Sequence, residues 1–134
     1  MNTSARRADA TATDANRRSR RHQFAVAGAG LVLITGLLHL ALVSEHLEEA
    51  TYLGVLFAAD FVATVVAAVG IYRYRQWGWW LGVAIAAVAI VLYVAHVTVG
   101  LPVVGVEEPE TLGVVTKVVE LLYLGVAAVW LRNG

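Results

Sequence analysis

The sequence predicts an all-α integral membrane protein, a bundle of four transmembrane helices. Hydrophobic residues make up 59% of the 134 residues and charged residues 15%, which is more apolar surface than a soluble domain of this size can bury. The charges are also segregated, so that four apolar stretches of about twenty residues remain, the length that crosses a hydrocarbon core about 30 Å thick. Because that core contains no water, each stretch must satisfy its own backbone hydrogen bonds, which favours helix despite the many Val and Ile residues.

The first element is a basic N-terminal segment. Residues 1–22 are rich in Ala, Thr, Ser, Asn and Arg without apolar periodicity, so we expect a disordered cytoplasmic tail. Residues 23–134 form the predicted membrane domain. Its spans are expected at about 24–43, 50–72, 77–100 and 111–131.

The start of the chain has a second interpretation. Ser19-Arg20-Arg21 precedes an apolar stretch, as in a twin-arginine export signal that is later cleaved. The apolar stretch is long for the core of a signal, and no small-residue cleavage site follows it. These features favour a signal anchor that stays in the membrane as the first helix.

The arginines predict the orientation. All of them precede the first span, separate the second from the third, or follow the fourth. The two opposite connections contain no Lys or Arg and carry Glu45, Glu48, Glu49, Glu107, Glu108 and Glu110. By the positive-inside rule we expect a multi-pass protein of the cell membrane with both termini in the cytoplasm. The tryptophans at the inner ends of the third and fourth spans, Trp77, Trp79, Trp80 and Trp130, are expected to lie at the headgroup level.

The two acidic connections resemble each other. Glu48-Glu49-Ala50-Thr51-Tyr52-Leu53-Gly54-Val55 matches Glu107-Glu108-Pro109-Glu110-Thr111-Leu112-Gly113-Val114 at five of eight positions. A histidine precedes each segment and an acid follows it, His39 with Asp60 and His96 with Glu120. This pattern suggests two related helical hairpins. The alternative is that acidic residues suit the N-terminus of any helix.

Ionisable residues within the spans are costly in lipid and are therefore candidates for function. They are His39, Asp60, His96, Lys117 and Glu120. All five are expected in the outer half of the predicted bundle or close to the membrane midplane. Each span places its ionisable group on one face with small or hydroxylated residues, which favour close helix contact in lipid. The predicted faces are Gly28, Val32, Thr35, His39 and His46; Glu49, Leu53, Asp60, Thr64 and Ala67; Gly78, Gly82, Ile85, Ala89 and His96; and Gly113, Thr116, Glu120, Leu124 and Ala127.

Three interpretations of these polar residues remain open. In the first they are structural, with Asp60 or Glu120 paired to Lys117 to fix helix register. In the second they form a zinc, copper or proton site. Its candidate ligands are His39, His46, His96, Asp60 and Glu120, with Lys117 nearby and Glu45 and Glu49 at an acidic mouth. In the third, His39 and His96 are the axial ligands of a b-type haem.

The composition of the chain excludes or disfavours several other kinds of functional site. The sequence contains no cysteine, which excludes disulfides, thiolate metal sites and cysteine nucleophiles. Ser44 is the only serine outside the N-terminal segment and has no nucleophile motif around it, so we expect no catalytic residue. The formal net charge of zero does not favour a nucleic-acid partner.

Small residues recur at four-residue spacing in two spans. Ala59-x-x-x-Ala63-x-x-x-Ala67 and Gly78-x-x-x-Gly82-x-x-x-Ala86 are helix-packing patterns. They fit packing within one chain and assembly into a homo-oligomer or a larger membrane complex equally well.

The segment His39-Leu40-Ala41-Leu42-Val43-Ser44-Glu45-His46-Leu47-Glu48-Glu49, with the later Val99-Gly100-Leu101-Pro102, resembles small uncharacterised four-helix membrane proteins of halophilic archaea and actinobacteria. The resemblance covers roughly residues 24–131 and implies the same four-span architecture. It also implies that the His39/Glu45/His46/Glu49 patch and the Gly100-Leu101-Pro102 turn recur in that group. It implies no activity.

Taken together, these observations predict a small binding or accessory subunit in the lipid bilayer with a His/carboxylate cluster facing outward. The alternative is a protein that handles a metal ion (Zn or Cu) or protons, with haem b binding less favoured because the acidic side has no arginine to hold propionates.

Overall fold

The computed structural model describes residues 2–133, and this part of the chain contains four helices. They are α1 (Thr3–Glu49), α2 (Thr51–Tyr72), α3 (Gln76–Thr98) and α4 (Thr111–Asn133). Each is long and apolar enough to cross a membrane. The predicted class, an all-α multi-pass membrane protein with four helices, is therefore confirmed.

The helices form a closed ring in chain order. α1 packs on α2, α2 on α3, α3 on α4 and α4 on α1, and the α1–α2 contact is the most extensive. Only Ala50 separates α1 from α2, in an extended conformation. We call the end with Ala50 and residues 99–110 the acidic end, and the end with residues 73–75 and Arg132 the basic end.

The N-terminal segment differs from the expectation. Residues 3–22 are helical and continue without a break into the first membrane span, although a disordered tail was predicted. Ala and Arg are strong helix formers, and a helix that extends an existing one avoids the nucleation cost of an isolated peptide. This exposed part of α1 extends about 30 Å beyond the basic end, given a rise of 1.5 Å per residue.

The α3–α4 connection contains a tight turn. Gly100 and Gly105 both have φ of +83°, and an isolated bridge joins Leu101 to Gly105. A Cβ atom on Gly100 would lie 2.5 Å from the carbonyl carbon of Gly105, so this position requires glycine for both its dihedral angle and its space. The turn ends α3 at Thr98, two residues before the predicted end.

The buried faces of the four helices are those predicted. Every member of the four predicted faces is buried or half-buried. The apolar core lies between the ionisable residues of the spans and the basic end, and its largest member, Trp79, is 0% exposed. Trp79 stacks on Tyr123 and Trp130 at ring centroid distances of 6.2 and 5.0 Å.

Two of the tryptophans have the environment expected of headgroup anchors and one does not. Trp77 and Trp80 are about half exposed on the surface near the basic end. Trp79 is instead buried inside the bundle, where its ring packs on Tyr123 and Trp130. The helical phase explains this, since Trp79 shares a face with Gly82 and Ala86 rather than with Trp80.

Glycines allow the helices to approach each other closely. A Cβ atom on Gly78 would lie 2.6 Å from the backbone of Gly70, and one on Gly82 would lie 2.1 Å from the Tyr123 hydroxyl. The Gly78-x-x-x-Gly82 pattern therefore serves packing within the chain, on α2 and α4.

Candidate functional site

Four ionisable side chains from three helices meet in the interior, and we call them the polar cluster: His39, Asp60, Lys117 and Glu120. Nδ1 of His39 on α1 contacts Oδ2 of Asp60 on α2. Nε2 of the same imidazole lies 3.5 Å from Oε1 of Glu120 on α4. Nζ of Lys117 donates to Oε2 of Glu120 at 2.5 Å. One histidine thus bridges two carboxylates, and the second carboxylate also binds an ammonium group.

The polar cluster is largely shielded from solvent. The Glu120 side chain is 0% exposed, and those of His39, Lys117 and Asp60 are 7%, 15% and 20% exposed. With two carboxylates and one ammonium group, the cluster is electrically neutral only when one further proton is bound.

Local packing positions the polar cluster. One turn before His39, a Cβ atom on Gly36 would lie 1.9 Å from Oγ1 of Thr64, so glycine at this position permits the close approach of α1 and α2. On α4, Lys117 and Glu120 are three residues apart and therefore share a face of the helix. The ammonium group of Lys117 also lies 5.5 Å from the ring centroid of Tyr93 on α3.

A cavity of about 270 Å³ lies between the polar cluster and the acidic end, and all four helices contribute to its walls. His39, Asp60 and Lys117 form its base. Its walls are mostly apolar and aromatic: Leu42, Leu53, Leu56, Phe57, Ala89, Leu92, Tyr93, Val97 and Leu101. Glutamates surround its mouth: Glu49, Glu107, Glu108 and Glu110. The site is thus an apolar pocket with titratable groups at its base and carboxylates at its entrance.

His46 lines the cavity but lies outside the polar cluster. Its Nδ1–H donates to the backbone carbonyl of Leu42 at 2.9 Å, which is one turn back on α1. Phe57 of α2 lies beside both histidines, with ring centroid distances of 4.1 Å to His46 and 5.0 Å to His39. The phenyl ring therefore takes the place beside His39 that the metal-site hypothesis assigned to a second imidazole.

His96 also has a different partner from the one that the repeat predicts. Its Nε2 lies 3.2 Å from Oε2 of Glu107 in the α3–α4 connection. Glu120, which the sequence repeat pairs with His96, contacts His39 across the bundle instead. The two hairpins are therefore not equivalent at the site, because Asp60 of the first hairpin and Glu120 of the second both contact His39 of the first.

The five predicted metal ligands do not form one site. Within residues 2–133, no group of three or more His, Asp and Glu side chains has the geometry to hold a metal ion. His39, Asp60 and Glu120 come together, but His46 and His96 have separate partners. Glu45 is exposed and does not line the cavity, whereas Glu49 does.

The arrangement also does not support an axial haem ligand at His39. An axial histidine needs one ring nitrogen free for iron. Both nitrogens of His39 face carboxylates, one from Asp60 and one from Glu120.

Three residues of the site were not singled out from the sequence. Phe57 and Tyr93 were not included in the predicted faces but lie beside them, since Phe57 precedes Asp60 by three residues and Tyr93 precedes His96 by three. Their aromatic character at these positions was a usable signal. Glu107 had no such signal, because its position depends on the turn at Gly100 rather than on helical phase.

Comparisons with known proteins give no relative for this chain: no family model matches it, and neither a curated protein nor a solved structure does.

Proposed function

We propose that this protein is a binding protein of the cell membrane whose acidic end faces the outside and whose cavity holds a small ligand above the polar cluster. The observation that carries the proposal is the cavity itself, which has apolar walls and a few convergent polar groups at its base. That combination is typical of small-molecule sites. The distribution of arginines supports the orientation, since every one of them belongs to the basic end or to the helical extension beyond it.

The packing below the cavity supports binding rather than conduction. The apolar core, with Trp79 stacked between Tyr123 and Trp130, fills the bundle between the polar cluster and the basic end. A ligand that enters from the acidic end therefore reaches a closed base. Protonatable groups at that base can hydrogen-bond a polar part of the ligand, while the walls hold its apolar part.

The absence of cysteine in the sequence makes a direct accessibility test possible. Ala89 lines the cavity on α3, and its neighbour Val88 is 58% exposed on the lipid-facing surface at the same depth. Ala89→Cys and Val88→Cys are expressed separately in cells and treated from outside with a maleimide that does not cross membranes. We expect labelling of Ala89→Cys and none of Val88→Cys, because a thiol in lipid does not ionise.

Three outcomes are possible. Labelling of Ala89→Cys from outside supports a cavity open to the external medium. If Ala89→Cys resists the reagent in intact cells but reacts in inverted vesicles, the orientation is wrong. If it resists the reagent in both preparations, the cavity is not an accessible binding site and the proposal fails.

Proton handling is a second candidate function, and the charge composition of the polar cluster favours it. The cluster needs one proton beyond that of Lys117 to be neutral, and histidine is the side chain suited to exchange a proton at physiological pH.

A further inference from the structure

We infer that the ligand of the cavity is a small organic cation that carries an apolar or aromatic group. The inference rests on the proposed function and concerns the chemistry that the cavity selects. The side chains that line it include five carboxylates, Glu49, Asp60, Glu107, Glu108 and Glu110. Among the described residues lining the cavity, Lys117 is the only Lys or Arg. Asp60 contacts His39 and Glu107 contacts His96, so the attraction of cations and repulsion of anions comes mainly from the other three, Glu49, Glu108 and Glu110.

Lys117 does not offset this charge at the mouth. Its ammonium group donates to Glu120 at 2.5 Å at the base of the cavity and faces the ring of Tyr93. The carboxylate that it binds is not one of the five. Low-dielectric walls concentrate the field of the remaining carboxylates within the cavity and raise the local concentration of cations.

The walls favour an organic cation over a metal ion. Phe57, Tyr52 and Tyr93 present aromatic rings to the cavity, and aromatic rings bind ammonium groups through cation–π interactions. The leucines around them exclude the water that a hydrated inorganic ion would retain. As described above, the carboxylates and imidazoles also lack the convergence that a metal ion needs.

Among the described residues that line the cavity, three buried side-chain atoms are left without a hydrogen-bond partner, one nitrogen and two oxygens. The nitrogen is Nδ1 of His96, and the two oxygens are Oε2 of Glu49 and the hydroxyl oxygen of Tyr93. Buried polar atoms in proteins nearly always have partners, so the two oxygens are positioned to accept hydrogen bonds from a bound molecule. An ammonium group supplies such donors, and at Glu49 it also neutralises the charge.

The volume limits the size of the cation. Sites for drug-sized molecules occupy about 300–1,000 Å³. At about 270 Å³, this cavity fits a molecule with one ring and a short cationic head group. Benzyltrimethylammonium has this composition and serves as the probe, with tetramethylammonium as the cation without a ring and phenylacetate as the anion with one.

The experiment uses Ala89→Cys in reconstituted vesicles and three thiosulfonate reagents, one cationic, one anionic and one neutral. The reaction rate of each reagent with Ala89→Cys is divided by its rate with free 2-mercaptoethanol. We expect this normalised rate to be about ten times higher for the cationic reagent than for the anionic one, because the field in the cavity attracts cations. Adding Glu49→Gln should lower this ratio severalfold, while Glu45→Gln, an exposed change outside the cavity, should leave it unaltered. The neutral reagent confirms that each variant keeps its cavity open.

Protection by the probes then tests binding. Benzyltrimethylammonium should slow labelling at lower concentrations than tetramethylammonium, and phenylacetate should not protect. A charge ratio near one, or equal protection by phenylacetate, overturns the inference while leaving an open cavity and the proposed function intact. Failure of all three reagents to label Ala89→Cys contradicts the proposed function instead.

Discussion

Oε1 of Glu120 on α4 lies 3.5 Å from Nε2 of His39 on α1, and this contact closes the ring of helices between the first and the last. The other ring nitrogen of His39 contacts Asp60, so a single imidazole connects α1, α2 and α4. α3 contacts α4 through aromatic rings, with Tyr93 beside Lys117 and Trp79 beside Tyr123. His39 is therefore the residue on which the geometry of the polar cluster depends most.

Replacing His39 with alanine should destabilise the fold strongly. His39→Ala leaves Asp60 and Glu120 in the interior with only Lys117 to compensate them, and removing one partner of a buried ion pair costs about 3–5 kcal/mol. We expect a loss of this size in the free energy of unfolding, measured by SDS titration in mixed micelles. Glu45→Gln, an exposed change on the same helix, is the control. A loss below about 1 kcal/mol, typical of exposed ion pairs, would mean that the imidazole does not hold the cluster together.

Lys117 and Glu120 should be strongly coupled in a double-mutant cycle. Lys117→Met removes the ammonium group that binds the buried carboxylate at 2.5 Å, and Glu120→Gln removes the charge that needs it. The double variant should be more stable than the sum of the two single effects predicts, by about 1–3 kcal/mol, because neither charge is left unpaired. Additive effects in the same unfolding assay would contradict a direct ion pair between the two residues.

The sequence predicted the helices and their buried faces because lipid imposes both. The length of each apolar stretch determines where a span begins and ends, and helical phase directs Thr35, Asp60 and Glu120 toward the interior of the bundle. Phase and depth do not determine which buried partners meet, since this depends on how far each helix is displaced from its neighbours. Glu120 therefore joined His39 instead of His96, and Phe57 separated His46 from the cluster.

Two further differences have local causes. Residues 3–22 are helical although their low hydrophobicity predicts disorder, because Ala and Arg have high helix propensity and the segment extends a helix that is already formed. The pairing of His96 with Glu107 depends on the turn at Gly100, and turn geometry in a twelve-residue connection does not follow from periodicity.

Gly36 should tolerate no side chain, in contrast to Gly30 on the same helix. A Cβ atom on Gly36 would lie 1.9 Å from Oγ1 and 2.9 Å from Cβ of Thr64, whereas one on Gly30 meets nothing within 4 Å. Gly36→Ala should force α1 away from α2 beside the polar cluster and cost about 1–3 kcal/mol, the range for an overpacked core. Gly30→Ala should be neutral or slightly stabilising, since alanine is the better helix former. Equal stability of the two variants would show that α1 and α2 do not approach each other closely at Gly36.

The extension of α1 should be measurable as one continuous helix in the full chain. Arg21 lies 5.7 Å from the ring centroid of Trp130 and 5.9 Å from that of Tyr74, and Nδ1 of His22 is 3.1 Å from the Tyr74 hydroxyl. These contacts fix the base of the extension against α4 and the α2–α3 connection. Its remaining turns then continue a helix that is already formed.

Spin labels provide the measurement, because the chain has no cysteine of its own. Labels placed through Ala5→Cys and Ser19→Cys span fourteen residues, which correspond to about 21 Å between Cα atoms in a helix. Pulsed electron paramagnetic resonance of the reconstituted protein should give one narrow distance distribution near that value. Ala12→Pro is the matched control, since proline interrupts a helix interior and should broaden the distribution. If the distribution without proline is as broad as with it, residues 3–22 are not helical and α1 begins at the membrane surface.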